Sequence, residues 1–247
     1  VQGLTGVSAL AAGIANSVCA RTASGVVCWG ANAYGQLGTG YTVDSTTPLE
    51  VAGISSAAGV SLGDSYSCAA IREGAVWQTA QCWGLNQSYQ LGNGTNHFSE
   101  LIPTPVATVS LSFLSAGYDH ACGISETKTA RCWANNFYGQ LGTSNSGSGI
   151  FTNPVTVVNL DQVVSISAGL TFTCAARMAG NVYCWGNNGA GQLGNGMLGD
   201  SRTPATAVFG LSSATQVVSG DAHSCALLSD SSVRCWGYGP SGELGGT

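Results

Sequence analysis

The stretch Val182-Tyr183-Cys184-Trp185-Gly186-Asn187-Asn188-Gly189-Ala190-Gly191-Gln192-Leu193-Gly194 is written five times along a chain of 247 residues. It reads VCWGANAYGQLG from Val27, QCWGLNQSYQLG from Gln81, RCWANNFYGQLG from Arg131, YCWGNNGAGQLG from Tyr183 and RCWGYGPSGELG from Arg234. The tryptophans fall at 29, 83, 133, 185 and 236, so the steps are 54, 50, 52 and 51 residues. A period of about 50 that fills a chain is the signature of a repeat architecture. The boundaries read as 1–52, 53–106, 107–158, 159–209 and 210–247, within a single domain.

Composition narrows the class. Charged residues make up 8% of the chain, Lys128 is its one lysine, and the net charge is −5 with no run of either sign. That excludes a nucleic-acid backbone or an anionic membrane as the expected partner. No apolar run approaches the roughly 20 residues of a membrane helix. The 36 glycines suit tight turns and thin strands. The ten cysteines fall as one pair per repeat: Cys19/Cys28, Cys68/Cys82, Cys122/Cys132, Cys174/Cys184 and Cys225/Cys235. Zinc would want short C-x-x-C knuckles, and there are none. Separations of 9 to 14 with a turn between predict disulfides across hairpins. Each contributes about 2.5–3 kcal/mol in the chain-entropy model. Five of them place the protein in an oxidising compartment, secreted or at the cell surface; on this reading any export leader has already been removed.

In the fourth repeat Val163–Gly169, Phe172–Ala176 and Asn181–Trp185 read as three short strands, and the segment around Pro204 to Val208 returns as a fourth. Short β runs with regular turn signals and no helical period predict an all-β repeat. Four strands per unit arranged radially make a β-propeller of five four-stranded blades, one disulfide per blade. Paired positions of a hairpin sum to a constant. Cys19/Cys28 therefore centre an even loop between Ala23 and Ser24, while the pairs of repeats three to five centre odd loops on Thr127, Ala179 and Asp230. Odd loops need a bulge or a left-handed residue. Repeat two carries four extra residues and Trp77, a packing patch or an exposed contact. The repeat tryptophans read as inter-blade packing, with Arg131 and Arg234 lying against indoles or shielding a blade edge. Val1-Gln2-Gly3-Leu4 matches Val208-Phe209-Gly210-Leu211, so the ring is expected to close with the N-terminal segment completing the last blade. The other readings are a final blade that borrows a strand from a partner, or a chain cut from a longer array.

The string Gly220-Asp221-Ala222-His223-Ser224-Cys225-Ala226-Leu227, followed by V-x-C-W-G and G-Q-L-G, resembles the regulator of chromosome condensation repeat family, most closely its secreted, cysteine-containing bacterial branch. The resemblance covers the whole chain. It implies a β-propeller, most often of seven blades in this family, where five repeats stand here. The family's roles range from nucleotide exchange on a small GTPase and contact with chromatin, through ultraviolet sensing by clustered tryptophans, to clamping an enzyme with one propeller face. Function must therefore be argued from sites. Exchange fits badly with a disulfide-bonded, lysine-poor chain, and photoreception with a chain in which only Trp77 lies outside the structural set.

Chemistry is thinly signalled. The histidines are His97, His120 and His223; His120 and His223 stand two before the second-strand cysteine and read as structural. No HExxH, GxSxG or phosphate loop occurs. Asp119 beside His120 is an acid–base pair without a nucleophile at fixed spacing, and Asp64 with Asp221 is a carboxylate pair of unset separation. No cofactor or metal is expected. The recurring Asn32, Asn86, Asn136 and Asn188, with Gln36, Gln90, Gln140, Gln192 and Glu243, read as loop-pinning groups. What varies between repeats is where binding belongs. The loop before each second strand gathers Asn16, Asp64, Tyr66, Tyr118, Asp119, His120, Thr171, Phe172, Asp221 and His223 onto one rim. Tyr34, Tyr89, Phe137 and Tyr138 form a second variable set. Aromatics with few charges suit a protein interface or a sugar platform. The expectation is an extracellular, non-enzymatic recognition or scaffold module (an inhibitor, adhesin or envelope component) that docks a protein through one face. Self-assembly is a further option, and a glycan-binding lectin and a polysaccharide-acting enzyme are the alternatives.

Overall fold

The structure, a computed structural model, describes residues 1, 3–143, 149–199 and 201–245. It is all-β. Blade one holds β1 (Ala9–Ala12), β2 (Ser17–Thr22), β3 (Gly25–Gly30) and β4 (Ser45–Glu50). Blade two holds β5 (Ala57–Leu62), β6 (Tyr66–Glu73), the short β7 (Val76–Trp77), β8 (Thr79–Leu85) and the first part of β9 (Ser99–Ala116). Blade three takes the rest of β9 with β10 (His120–Ser125), β11 (Ala130–Asn135) and β12 (Ile150–Thr156). Blade four is β13 (Val163–Ala168), β14 (Phe172–Arg177), β15 (Val182–Gly186) and β16 (Ser201–Ala207). Blade five is β17 (Ala214–Ser219), β18 (His223–Leu228) and β19 (Val233–Gly237). Every pairing is antiparallel, in up-and-down order, and β9 is the outer strand of blade two and the inner strand of blade three. Among the described residues no helix is long and apolar enough to cross a membrane.

All five disulfides form between the expected partners: Cys19–Cys28, Cys68–Cys82, Cys122–Cys132, Cys174–Cys184 and Cys225–Cys235. Each lies directly across the two middle strands, with Cα–Cα separations of 4.0–4.1 Å. The hairpin arithmetic holds in four blades. Thr22 faces Gly25 across a two-residue turn. In the three odd loops the left-handed residue follows the centre each time, at Lys128, Gly180 and Ser231.

The Cys68–Cys82 pair also forms as expected, and the four extra residues of its repeat give the hairpin a different turn. The disulfide does not cross a simple hairpin. Cys68 faces Cys82 and Ala69 faces Gln81, whereas Arg72 faces Trp77 and Glu73 faces Val76, so the pairing constant slips by one residue between the disulfide and the turn. The physical reason is the extra length of this repeat. Its added residues build the separate short strand β7, and Gln78, between β7 and β8, takes up the slip as its N–H donates to Ile71 O. Beyond the slip Cys82 is fully buried, and its carbonyl accepts from Thr104 Oγ1 of β9 at 3.0 Å. Trp77 belongs to this longer turn. It is partly buried against the core, and the Arg72 guanidinium lies 5.2 Å from its ring centroid.

Side chains alternate along each strand, so cysteine and tryptophan neighbours take opposite faces. The cysteine face of each blade packs on the tryptophan face of the next. Between blades one and two, Cys19, Val26 and Cys28 meet Ala69, Ile71 and Trp83. Between blades two and three, Cys68 and Cys82 meet Ala121 and Trp133. Each joint is then stitched by one hydrogen bond. The indole Nε1 of Trp83, Trp133, Trp185 and Trp236 donates to the backbone carbonyl of Gln36, Gln90, Gln140 and Gln192 in the preceding blade, at 2.8–3.0 Å. The last glycine of each GQLG string is needed for this. Gly38, Gly92, Gly142 and Gly194 have positive φ, and a Cβ there would lie within 3.0 Å of the incoming indole. The glycine that ends each first strand serves the axis: a Cβ on Gly63 or Gly117 would strike the carbonyl of Gly117 or Gly169 in the next blade.

The expected ring closure is absent among the described residues. Blade five has three strands, and the N-terminal segment joins blade one instead, Ser8 N donating to Arg21 O. Among the described residues Trp29 has no carbonyl to receive its indole, and open space lies over Gly245, the counterpart of Gly38. The physical reason is that the N-terminal segment runs into the edge strand of its own blade, where Ser8 N and Ala9 already face Arg21. Neither Arg131 nor Arg234 stacks on its neighbouring tryptophan: among the described residues the cation–π pairs are Arg72–Trp77 and Arg177–Tyr183.

Candidate binding face

Both variable sets of loops emerge at the same end of the blades. The loop between the first and second strands is tied to the end of the third strand, at its last residue or the one after it. Ala31 N donates to Asn16 O, Leu85 N to Ser65 O, Asn135 N to Asp119 O, Asn187 N to Thr171 O and Tyr238 N to Ala222 O. The set near the axis and the set in the GQLG loops therefore form one surface, with the turns between second and third strands at the opposite end.

Each GQLG loop is braced from within. The side-chain oxygens of Asn32, Asn86, Asn136 and Asn188 accept from the backbone N–H of Leu37, Leu91, Leu141 and Leu193, whose side chains are fully buried. The Gln36, Gln90, Gln140 and Gln192 side chains accept from the N–H two residues back, as Glu243 does from Ser241. These repeated groups are structural, so they are committed before any ligand arrives. Asn86 is consumed in this way and is buried.

The expected rim is only partly a surface. Asn16, Tyr118 and Asp221 are exposed, and Asp64, Asp119 and Thr171 half-exposed. Tyr66, His120 and Phe172 are 0–1% exposed and leave the rim. The reason is alternation: a residue two before the second-strand cysteine shares its face, and the next blade covers that face. Tyr66 Oη donates to His120 O at 2.7 Å across the joint. Thr173 Oγ1 donates its one hydrogen to Gln140 O and so accepts a hydrogen bond from His120 Nε2–H, both at 2.9 Å. This fixes the tautomer and leaves His120 Nδ1 bare, a buried acceptor without a partner. Burial lowers the His120 pKa to about 3. His223, on the uncovered face of blade five, is partly exposed.

The carboxylates near the axis lean on one another. Burial raises the Asp119 pKa, opposed by the Asn135 side-chain bond of 2.6 Å and helped by the charge on Asp64. Burial also raises that of Asp64. The Asp119–Asn135 bond carries on outward, because Asn135 Oδ1 accepts from Phe137 N and Gln140 Nε2. Inner and outer loops of blade three are thus one unit. Among the described residues no three His, Cys, Asp or Glu side chains gather in a way that could hold a metal.

The structure adds residues that the sequence reading missed. Tyr41, Val43, Phe98, Ile102, Met197 and Leu198 are exposed on this face beside Tyr34, Phe137 and Tyr138. Tyr34 and Phe98 come from different blades, yet their ring centroids lie 5.9 Å apart. The missed signal was the apolar residues that follow GQLG, where turns are usually polar. Tyr89 is the most telling member of the set. It occupies the place of Gly35, Gly139, Gly191 and Gly242 and, like them, has positive φ, 60°. A tyrosine in the left-handed region costs about 1–2 kcal/mol, and strain of that kind concentrates at functional sites.

A profile of the regulator of chromosome condensation (RCC1) repeat matches residues 25–70, 79–124 and 179–227, and a second profile of the same repeat matches 112–140, 163–192 and 214–243. The chain is 29% identical to the ultraviolet-B receptor UVR8 of Arabidopsis thaliana, over 89% of this chain and 50% of the receptor. It is 27% identical to the secretion-regulating guanine nucleotide exchange factor of Bos taurus, over 93% of this chain and 51% of that protein. The chain spans about half the length of these curated relatives. Among solved structures, human WBSCR16 superposes with a TM-score of 0.81 at 20% identity, covering 97% of this chain and 63% of the other. Saccharomyces cerevisiae Prp20p, described with its binding to Gsp1p and histones, also gives 0.81, at 21% identity, with 97% and 60% covered. The likeness to both structures is one of fold.

Proposed function

The chain belongs to the regulator of chromosome condensation repeat family, and from that premise we propose that it is an extracellular, non-enzymatic recognition module whose loop face binds a protein partner. One observation carries the reading. Four repeats place glycine where the backbone turns left-handed, and the second keeps a strained Tyr89 among exposed aromatics. Stability alone would favour glycine there, so the ring is retained for contact. A rigid scaffold supports the reading, because preorganised loops lose little entropy on binding. The ten cysteines, all paired, support an oxidising location.

Capture of surface proteins from the source cells on the immobilised chain tests the proposal. Tyr89→Gly, and separately the triple Tyr118→Ala, Phe137→Ala, Tyr138→Ala, should each abolish capture of the specific partner. Lys128→Ala at the opposite end should leave it intact. Equal capture by all variants would remove the loop face from the account, and selective capture of polysaccharide would replace the protein partner by a glycan. Free thiols on protein taken from the source would contradict an extracellular location.

A further inference from the structure

The exposed rings of the loop face, Tyr34, Tyr41, Phe98, Tyr118, Phe137 and Tyr138, share it with charge of one sign. Asp44, Asp64, Glu100, Asp119, Asp221 and Glu243 lie at this end of the blades. Among the described side chains the bases Arg21, Arg72, Lys128, Arg131, Arg177 and Arg234 all lie towards the opposite end, near the turns between second and third strands, with Glu50, Glu73, Glu126, Asp161 and Asp230 beside them. Arg202 and Asp200 fall outside the described side chains. The carboxylates of the loop face are therefore held by neutral or backbone groups. Asp44 accepts from Asn32 N and Glu243 from Ser241 N, while Glu100 meets the His97 ring at 2.8 Å. Asp119 leans on Asn135 through one oxygen, and its other oxygen has no donor among the described residues. Rings and acids interleave. Phe98 stands two residues before Glu100, Tyr118 adjoins Asp119, and Tyr34 brings a second ring to Phe98 from the neighbouring blade. Phe98, Glu100, Tyr118 and Asp119 belong to blades two and three, which have neighbours on both sides.

Resting on the reading of the loop face as a protein-binding surface, we propose that its partner presents a basic segment there, Lys or Arg side chains set among apolar ones. Charge decides the sign of the occupant. An acidic protein or a nucleic acid would bring like charge onto a face with no described base to answer it. The rings decide the rest, because a ligand that is only cationic would leave them in water. Arginine fits both halves, since a guanidinium can pair with a carboxylate and lie on an aromatic ring at the same place.

Surface plasmon resonance on the immobilised chain tests this with three synthetic peptides of equal length, alternating Arg with Leu, Glu with Leu, and Arg with Ser. The Arg–Leu peptide should bind, the Arg–Ser peptide more weakly and the Glu–Leu peptide not at all. Raising the salt from about 0.1 M to about 1 M shortens the screening length from about 10 Å to about 3 Å and should weaken the Arg–Leu complex. Asp64→Asn, Glu100→Gln and Asp119→Asn together keep the side-chain shapes and remove the charge; three exposed ion pairs are worth about tenfold in affinity, and that loss should appear together with a flatter salt dependence. Glu73→Gln with Glu126→Gln at the opposite end should change neither. Should the triple variant melt early, Asp44→Asn with Asp221→Asn, both exposed, carries the same test. Equal binding of the Arg–Leu and Glu–Leu peptides, or binding of neither, overturns the basic partner, and Arg–Ser binding as tightly as Arg–Leu overturns the part given to the rings. The two readings fail separately: if no peptide binds but Tyr89→Gly still abolishes capture of a surface protein, the loop face keeps its role and loses only the basic partner.

Discussion

Trp133 and Trp29 occupy the same place in the same repeat string, yet the molecule uses them differently. Trp133 is fully buried and donates to Gln90 O at 2.9 Å, with Gly92 beneath its ring. Trp29 is partly exposed and donates to nothing described. The same contrast separates the disulfides: both cysteines of the pairs in blades one to four are fully buried, whereas both in blade five are partly exposed. A blade in this fold is a half-structure. Its strands specify a sheet, and its neighbour turns that sheet into core.

Substitution to alanine should expose the contrast most strongly. Trp133→Ala should cost about 3–5 kcal/mol, as for other fully buried tryptophans, and Trp29→Ala about 1 kcal/mol in the monomer. Chemical denaturation measures both, and equal losses would break the comparison. Acid comes next. The folded pKa of His120, about 3, lies below its ordinary 6.5, so folding favours the neutral ring. The unfolded chain then binds the extra proton, and stability is full above pH 6.5 and falls as pH drops from there towards 3. The loss should be on the order of a few kcal/mol. His120→Phe, the residue blade four uses, should flatten that slope in pH-dependent melts. A slope unchanged by the substitution would assign the acid limb to other groups.

Mild reductant followed by alkylation should label Cys225 and Cys235 first, by mass spectrometry, and replacing that pair with serine should cost about 2.5–3 kcal/mol. Early labelling of Cys68, Cys82, Cys122 or Cys132 instead would mean that the inner joints open readily. The smallest effect has the opposite sign. Tyr89→Gly should stabilise the monomer by about 1 kcal/mol, part of the left-handed strain being offset by the freer unfolded glycine. Any loss of stability would show that the Tyr89 ring is part of the core.

Much of this was legible in the sequence. The period of the Cys-Trp-Gly string gave the blade number, cysteine spacing gave the five disulfides, and the pairing sums located the turns at Ala23-Ser24, Thr127, Ala179 and Asp230. The sums do not carry through the Cys68–Cys82 hairpin, because a slip in register leaves no trace in cysteine spacing. The binding rim was legible only in outline. Tyr66, His120 and Phe172 looked like loop residues because they follow glycine-bounded turns, but their two-residue offset from a buried cysteine already placed them on a covered face. Phe98 and Leu198 went unnoticed for another reason: the stretches after GQLG are alike in length but not in residue, so that Phe98 stands where Asp44 and Asp200 stand in other repeats. The open ends could not be read at all. The sequence at both ends matches repeat segments, and nothing in the match says that the N-terminal segment pairs with its own blade, as Ser8 does with Arg21.

The joint itself can be tested by hydrogen exchange of the tryptophan indole N–H groups, followed by nuclear magnetic resonance. Trp83, Trp133, Trp185 and Trp236 should exchange slowly, while Trp29 exchanges near the rate of a solvent-exposed indole. Slow exchange at Trp29 to match the other four would mean that the blades close into a ring, and fast exchange at Trp133 would mean that the carbonyl stitch does not hold them together.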